Sequence, residues 1–461
     1  MRLTPLEPNI PEVGGFTPEN DIFGYRDFAE RFANLICNID EPLVIALDGP
    51  WGSGKSVFVK QWAGLLRERG APVIYFDAFA SDHYEDAFLA LSAEIHAAAK
   101  EKLGGNEKTT RRYFNKAKKA GTVLAPIALR VAARASTAGL LSWEDMEAGN
   151  EAIKVAVKAA GDEGAKVVER VISERLRQAS EERAALSAFR EVLSEVASAL
   201  AKRQAADGEA FPLVFIVDEL DRCRPPFALS FIERIKHLFS VPGVCFVLVT
   251  HLPQLEQAVQ GAYGTNFDAH TYLEKFYQVR VTLPEDIDQP KKQLSAYMAH
   301  LWNTLGIRFP EARISELVQR EFQALAEVYD LSLRQLERVV THIALVSAAA
   351  GPRNAIVPPI VAGLCIMRQT HPPLYRKARK QGLTWSEARK FLQPTEGQGV
   401  QGEWALKWWE FSTGAEITPD EMQDFQHFQA KYHLSDREKI IPLMANYIDD
   451  LVQHEVPLKE Q

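Results

Sequence analysis

Gly49-Pro50-Trp51-Gly52-Ser53-Gly54-Lys55-Ser56 matches the pattern G-x-x-x-x-G-K-[ST] in full. Each residue type has a physical reason. Glycines let backbone N–H groups approach a phosphate and take up conformations that a Cβ forbids. Lys55 reaches the β- and γ-phosphates, and the Ser56 hydroxyl is a ligand for Mg2+. A helix beginning here, from Val57, aims its positive dipole end at the same phosphates. The preceding apolar run, Leu43-Val44-Ile45-Ala46-Leu47, is too short for a helix and is followed closely by Gly49, so it reads as a buried strand. Strand, glycine loop and helix in that order make Gly49 to Val57 the expected cradle for the phosphates of ATP.

The same rhythm continues along the chain. Val57 to Leu66 reads as a helix, Val73 to Phe76 as a strand and Tyr84 to Lys100 as a helix. After a break come a strand at Leu213 to Val217, a helix at Pro226 to Phe239, and strands at Val244 to Val249 and Val279 to Leu283. Strands alternating with helices predict an α/β fold with a parallel sheet covered on both faces. The break, residues 101–210, is rich in Ala, Lys, Glu and Arg with no strand candidate, and reads as a helical insertion. Within it, Ser180 to Arg203 places Leu186, Phe189, Val192, Leu193, Val196 and Leu200 on one face, with Ser180 as the expected N-cap. The expected organisation is an arm at 1–20, core at 21–100, insertion at 101–210, core again at 211–284, a helical lid at 285–395 and a helical tail at 396–461.

Leu213-Val214-Phe215-Ile216-Val217-Asp218-Glu219 is an apolar strand ending in two acids. Asp218 is placed to hold Mg2+, and Glu219 to polarise an attacking water as general base. Asp221 and Arg222 follow at once and are candidates for contact with nucleotide or metal, or for a structural pair with each other. The next strand ends at Thr250-His251. There Thr250 is the preferred contact for the γ-phosphate or the water, and His251 the lesser candidate.

Composition narrows the class. The 461 residues are 46% apolar and 25% charged, which excludes a largely disordered or fibrous chain. A net charge of −8 argues against a dedicated DNA-wrapping protein. Cys37, Cys223, Cys245 and Cys365 lack CxxC spacing, so reduced thiols in a cytoplasmic protein are expected rather than a zinc site or disulfide scaffold. The N-terminal residues contain no apolar signal segment.

GPWGSGKS (49–56), DELDRCRP (218–225) and YLEKFYQVRVTLP (272–284) together resemble the KAP family of P-loop NTPases. Asp21 to Ala29 is similar to that family's lead-in, and Trp51 within the loop is typical of it. Ser332-Leu333-Arg334-Gln335-Leu336-Glu337-Arg338 resembles its downstream Pro-Arg-x-x-x-Arg segment without the proline. The likeness spans residues 20–380 apart from the insertion. It implies an additional-strand P-loop fold, ATP hydrolysis and Mg2+ dependence, and several prokaryotic members look linked to phage defence. Asp77-Ala78-Phe79 departs from the family, where Asn and Trp often stand.

The remaining segments bear on partners. Lys108, Arg111, Arg112, Lys116, Lys118 and Lys119 form a basic cluster, followed by an apolar stretch at 121–141 that contains Arg130 and Arg134. Two arginines make a membrane span there costly. A helical arm packed on itself or on a partner is expected. A membrane surface reached through 108–141, with peripheral placement, and a nucleic-acid patch stay open. Ser332 and Gln335 have capping-box spacing, which puts Arg334 in the first turn of a helix, where it can act as a γ-phosphate sensor or as a salt-bridge residue. Arg222 is the expected arginine for a neighbouring copy, in a homo-oligomer. Trp404, Trp408 and Trp409 share a helical face expected to pack on the body. The expected function is an ATPase that drives conformational change in a complex with other proteins. The alternative is a nucleotide-dependent scaffold or membrane-recruited switch with little turnover.

Overall fold

A computed structural model describes residues 2–5, 7–39, 41–84, 87–103, 111–112, 115, 184, 186–201, 211–236, 240–284, 290–329, 331–350, 356–392, 400–415, 426 and 436–449. The apolar stretch at 121–141, most of the basic cluster and the Ser180 cap lie outside the described residues.

Five strands form one sheet: β1 (Leu43–Asp48), β2 (Val73–Asp77), β3 (Leu213–Asp218), β4 (Val244–Thr250) and β5 (Val279–Thr282). All pairings are parallel and the order is β2-β3-β4-β1-β5. The strand bearing the glycine loop is thus separated from the strand bearing Asp218 by β4, which is the additional-strand arrangement. Every residue of β1, β3 and β4 is buried, as befits a sheet covered on both faces.

Register explains where the chemistry gathers. Asp48 lies opposite Thr250 and Thr282, and Asp77 opposite Asp218. All five strands therefore deliver polar residues to the same edge, the carboxyl ends, where open α/β sheets bind ligands.

The sheet is covered by α1 (Arg26–Cys37), α2 (Lys55–Glu68), α3 (Ala87–Leu103), α4 (186–201), α5 (Pro225–Ile235) and α6 (Leu252–Tyr263), with a short α7 (Ala269–Leu273) before β5. On one face Phe32 stacks on the buried Trp62 with ring centroids 4.4 Å apart. On the other, Phe189, Val192, Leu193, Val196 and Leu200 of α4 are buried in the core with Phe76, Phe215 and Phe231. The C-terminal part of the expected insertion therefore belongs to the sheet's own core. Residues 9–20 also pack on this body: Gly14 donates to the Gly64 carbonyl, and Asn20 bonds Gln61.

Residues 9–50 and 54–284 form this α/β unit, while 1–8, 51–53 and 285–461 form a second, helical one. The helical unit contains α8 (Pro290–Leu305), α9 (Ala312–Val328), α10 (Leu333–Ala349), α11 (Pro358–Thr370), α12 (Pro372–Arg379), α13 (Trp385–Leu392), α14 (Val400–Ser412) and α15 (Ile440–Asp449). One hydrophobic core runs through all eight, so α14 and α15 are part of this body and not an appended tail. Trp409 is fully buried there, and its indole N–H donates to the Pro359 carbonyl at 3.3 Å. The capping box at Ser332 and Gln335 is present.

Candidate nucleotide site

The loop after β1 needs glycine at two positions. Gly52 and Gly54 have φ of +80° and +86°, the left-handed region, and Gly54 is the N-cap of α2. Within the helical unit, the Leu333 N–H donates to the Gly52 carbonyl at 3.2 Å. A Cβ on Gly52 would come within 2.9 Å of Arg334 Cβ. The turn bearing Arg334 is thus tied to the loop tip. Trp51 is 41% exposed, Val57 is half-buried, and Ser53 Oγ is buried without a hydrogen-bond partner among the described residues.

Lys55, the first residue of α2, is buried and donates from Nζ to the carbonyls of Gly49 at 2.5 Å and Pro50 at 2.9 Å. Burial lowers its pKa. The charges of Asp221, Asp48 and Asp218 oppose that shift and favour the ammonium. The lysine is therefore ringed by carboxylates and bound to carbonyls that a phosphate can replace as its acceptor.

Asp218 is 1% exposed. It accepts from the Tyr75 hydroxyl at 2.7 Å, from the Ser56 hydroxyl and from the Glu219 N–H at 2.8 Å. Burial raises its pKa, and these hydrogen bonds pull it back down. The Ser56–Asp218 bond places two hard oxygen donors from α2 and β3 together, a donor set suited to Mg2+. Among the described residues no three His, Cys, Asp or Glu side chains gather into a metal cage.

Glu219 is strained. Its φ is +60°, left-handed for a non-glycine residue. Its side chain is directed to Arg222, with Oε1 2.6 Å from Nη1. Burial raises the Glu219 pKa, while Arg222 acts to lower it. Asp221 lies in the turn Leu220–Arg222 between them and is the strongest of the charges acting on Lys55. Arg222 therefore engages the acid of its own chain in this conformation.

Thr250, at the end of β4, is 1% exposed, and its Oγ1 has no hydrogen-bond partner among the described residues. His251 stands at the N-cap position of α6, where its side chain makes no capping hydrogen bond.

Three site residues escaped the sequence reading. Tyr75 positions Asp218 from β2. Asp48 accepts from the Leu252 N–H at 2.8 Å and pairs with Arg280 at 2.5 Å, which braces the ends of β1, β4 and β5. The local signal is that Asp48 ends its strand, while Tyr75 stands in the middle of β2.

A search of curated proteins found no match. The comparison with known families matches the KAP family P-loop domain over residues 25–350, which includes the glycine loop, Asp218 and the turn bearing Arg334. This match covers more than half of the chain, and with the sheet order and the Lys55–Ser56–Asp218 cluster it makes the chain a member of the KAP family of nucleotide-binding P-loop NTPases.

Proposed function

We propose that this chain is a Mg2+-dependent ATPase that couples hydrolysis to conformational change in a complex with other proteins. The observation that carries this reading is the hydrogen bond from Ser56 to an Asp218 that stands beside a half-buried Glu219. Ser56 and Asp218 would hold the cation, which supplies charge neutralisation on the phosphates. Gly49 to Val57 would wrap the phosphates, with the Lys55 ammonium exchanging its carbonyl partners for phosphate oxygens. Glu219 would accept the proton of the attacking water, and Asp221 is the reserve base. Thr250 Oγ1 would orient that water. Arg222 would control Glu219, and Arg334, next to the Leu333 whose N–H donates to the Gly52 carbonyl, would sense the γ-phosphate.

The Glu219–Arg222 pair favours a second reading, a nucleotide-dependent scaffold or membrane-recruited switch with little turnover, because a base held by an arginine is slow to take a proton. Phosphate release from ATP and Mg2+ with no acceptor present separates the two. The ATPase turns over, and Lys55→Ala abolishes both binding and turnover. Tight binding without phosphate release supports the scaffold.

Among the described residues no helix is long and apolar enough to cross a membrane. The proposed setting is the cytoplasm, in defence against phage, as the family likeness suggests. Plaque counts on hosts carrying the parent or Lys55→Ala test this setting, which requires protection from the parent only.

A further inference from the structure

We infer that the helix pair α12–α13 is a docking surface for the phosphate backbone of double-helical nucleic acid. Between His371 and Leu392 stand six basic side chains and one acid, in a chain whose 61 acids outnumber its 53 bases. Packing decides which of the six face outward. Tyr375 and Ala378 of α12 and Ala388 and Phe391 of α13 are buried in the helical core. Helical geometry then turns Arg376 and Lys380 directly away from the core, about 6 Å apart along the axis at four residues' spacing. Arg389 and Lys390 are likewise exposed.

Lys377 and Arg379, the two basic residues between Arg376 and Lys380, have structural partners. Lys377 crosses to Glu387 at 2.5 Å and ties the two helices together. Arg379 joins Arg368 on Asp449, at 3.3 and 3.1 Å. The only acid of the segment is thereby consumed on one side. Arg376, Lys380, Arg389 and Lys390 have no ion-pair acid among the described residues. Four cations thus stand on a rigid support whose backbone is fixed by buried anchors, which limits the ordering cost of binding a polyanion.

The chemistry of the surround selects the partner. A lipid surface needs apolar side chains beside the cations, and no large exposed apolar residue lies between 371 and 392. Single strands are held by aromatic platforms, but here Tyr375 is buried and Trp385 half-buried. What remains is charge alone in a fixed array, suited to a duplex backbone and indifferent to sequence.

Fluorescence anisotropy with the full chain and a labelled duplex of mixed sequence tests this, with DNA and RNA duplexes as separate arms. The comparison variant carries Arg376→Gln, Lys380→Gln, Arg389→Gln and Lys390→Gln together, and its circular dichroism and nucleotide binding report an intact fold. The parent should bind a duplex, with log K falling against log salt at a slope of about −0.9 per phosphate contacted. The variant should bind at least tenfold more weakly, with a flatter slope. Whichever arm binds tighter names the duplex. Equal binding by parent and variant would assign the affinity to the basic cluster at 108–119 and overturn the proposal. So would binding to vesicles containing phosphatidylserine without binding to either duplex, or no binding at 50 mM salt.

Discussion

Glu219 Oε1 and Arg222 Nη1 lie 2.6 Å apart, within one chain and three residues of one another. The left-handed backbone at Glu219 turns the acid toward the arginine, so the strain and the ion pair belong to one feature.

This pair sets the pH behaviour of turnover. Burial holds the Glu219 pKa above the ordinary carboxylate value, and Arg222 works against that shift. Arg222→Ala removes that opposing charge and raises the pKa further. The acid limb of kcat against pH should therefore move to higher pH. An unshifted limb would detach Arg222 from the base. Because the pair forms in cis, mixing Lys55→Ala with Arg222→Ala chains should give no more turnover than the Arg222→Ala chains alone. Rescue on mixing would instead place the arginine at a neighbouring copy's site in a homo-oligomer.

Asp218→Asn should stabilise the chain in the absence of nucleotide while abolishing turnover. The pKa of Asp218 is raised by burial, so the folded state holds the proton more tightly than the unfolded chain does. Stability is then lost as pH rises from the ordinary carboxylate value through the raised one. Asparagine keeps an acceptor for Tyr75 and cannot ionise. The expected result is a Tm a few degrees above the parent at pH 8, with the gap closing toward acid. A Tm at or below the parent's at pH 8 would contradict it.

The core of the helical unit has a sharp steric test. A Cβ on Gly363 would lie 2.5 Å from Cζ2 of the fully buried Trp409. Gly363→Ala should cost about 1–3 kcal/mol by overpacking. Trp409→Ala should cost about 3–5 kcal/mol by opening a cavity. Thermal unfolding of the full chain measures both, and an unchanged Tm for either would show that α14 is not part of this core.

Much of this was legible in the residues. The apolar runs at Leu43, Leu213 and Val244 could only be buried strands. The glycine loop placed the site on the first of them. The strands nonetheless extend one residue further than their apolar runs, to Asp48, Asp77, Asp218 and Thr250, because backbone pairing continues to the sheet edge where the polar residues sit. Tyr75 could not be assigned to Asp218 in advance. The two are 143 residues apart, and only the register that pairs Asp77 with Asp218 brings them together. Asp48 and Arg280, 232 apart, are hidden for the same reason. Periodicity identifies the apolar face of α4 but not the surface it covers, so nothing local separates it from the insertion although it packs on the sheet. Trp409 announced a buried face, yet nothing local tied it to Gly363.

The proposed ATPase stands on Glu219 as its base. Single-turnover phosphate release from ATP and Mg2+, with nucleotide affinity measured alongside, tests it most directly. Glu219→Gln should bind ATP within a few-fold of the parent and release phosphate at least 100-fold more slowly, at the lower end of what a positioned base contributes, about 10²–10⁴. Release at the parent rate would contradict the claim and pass the role of base to Asp221.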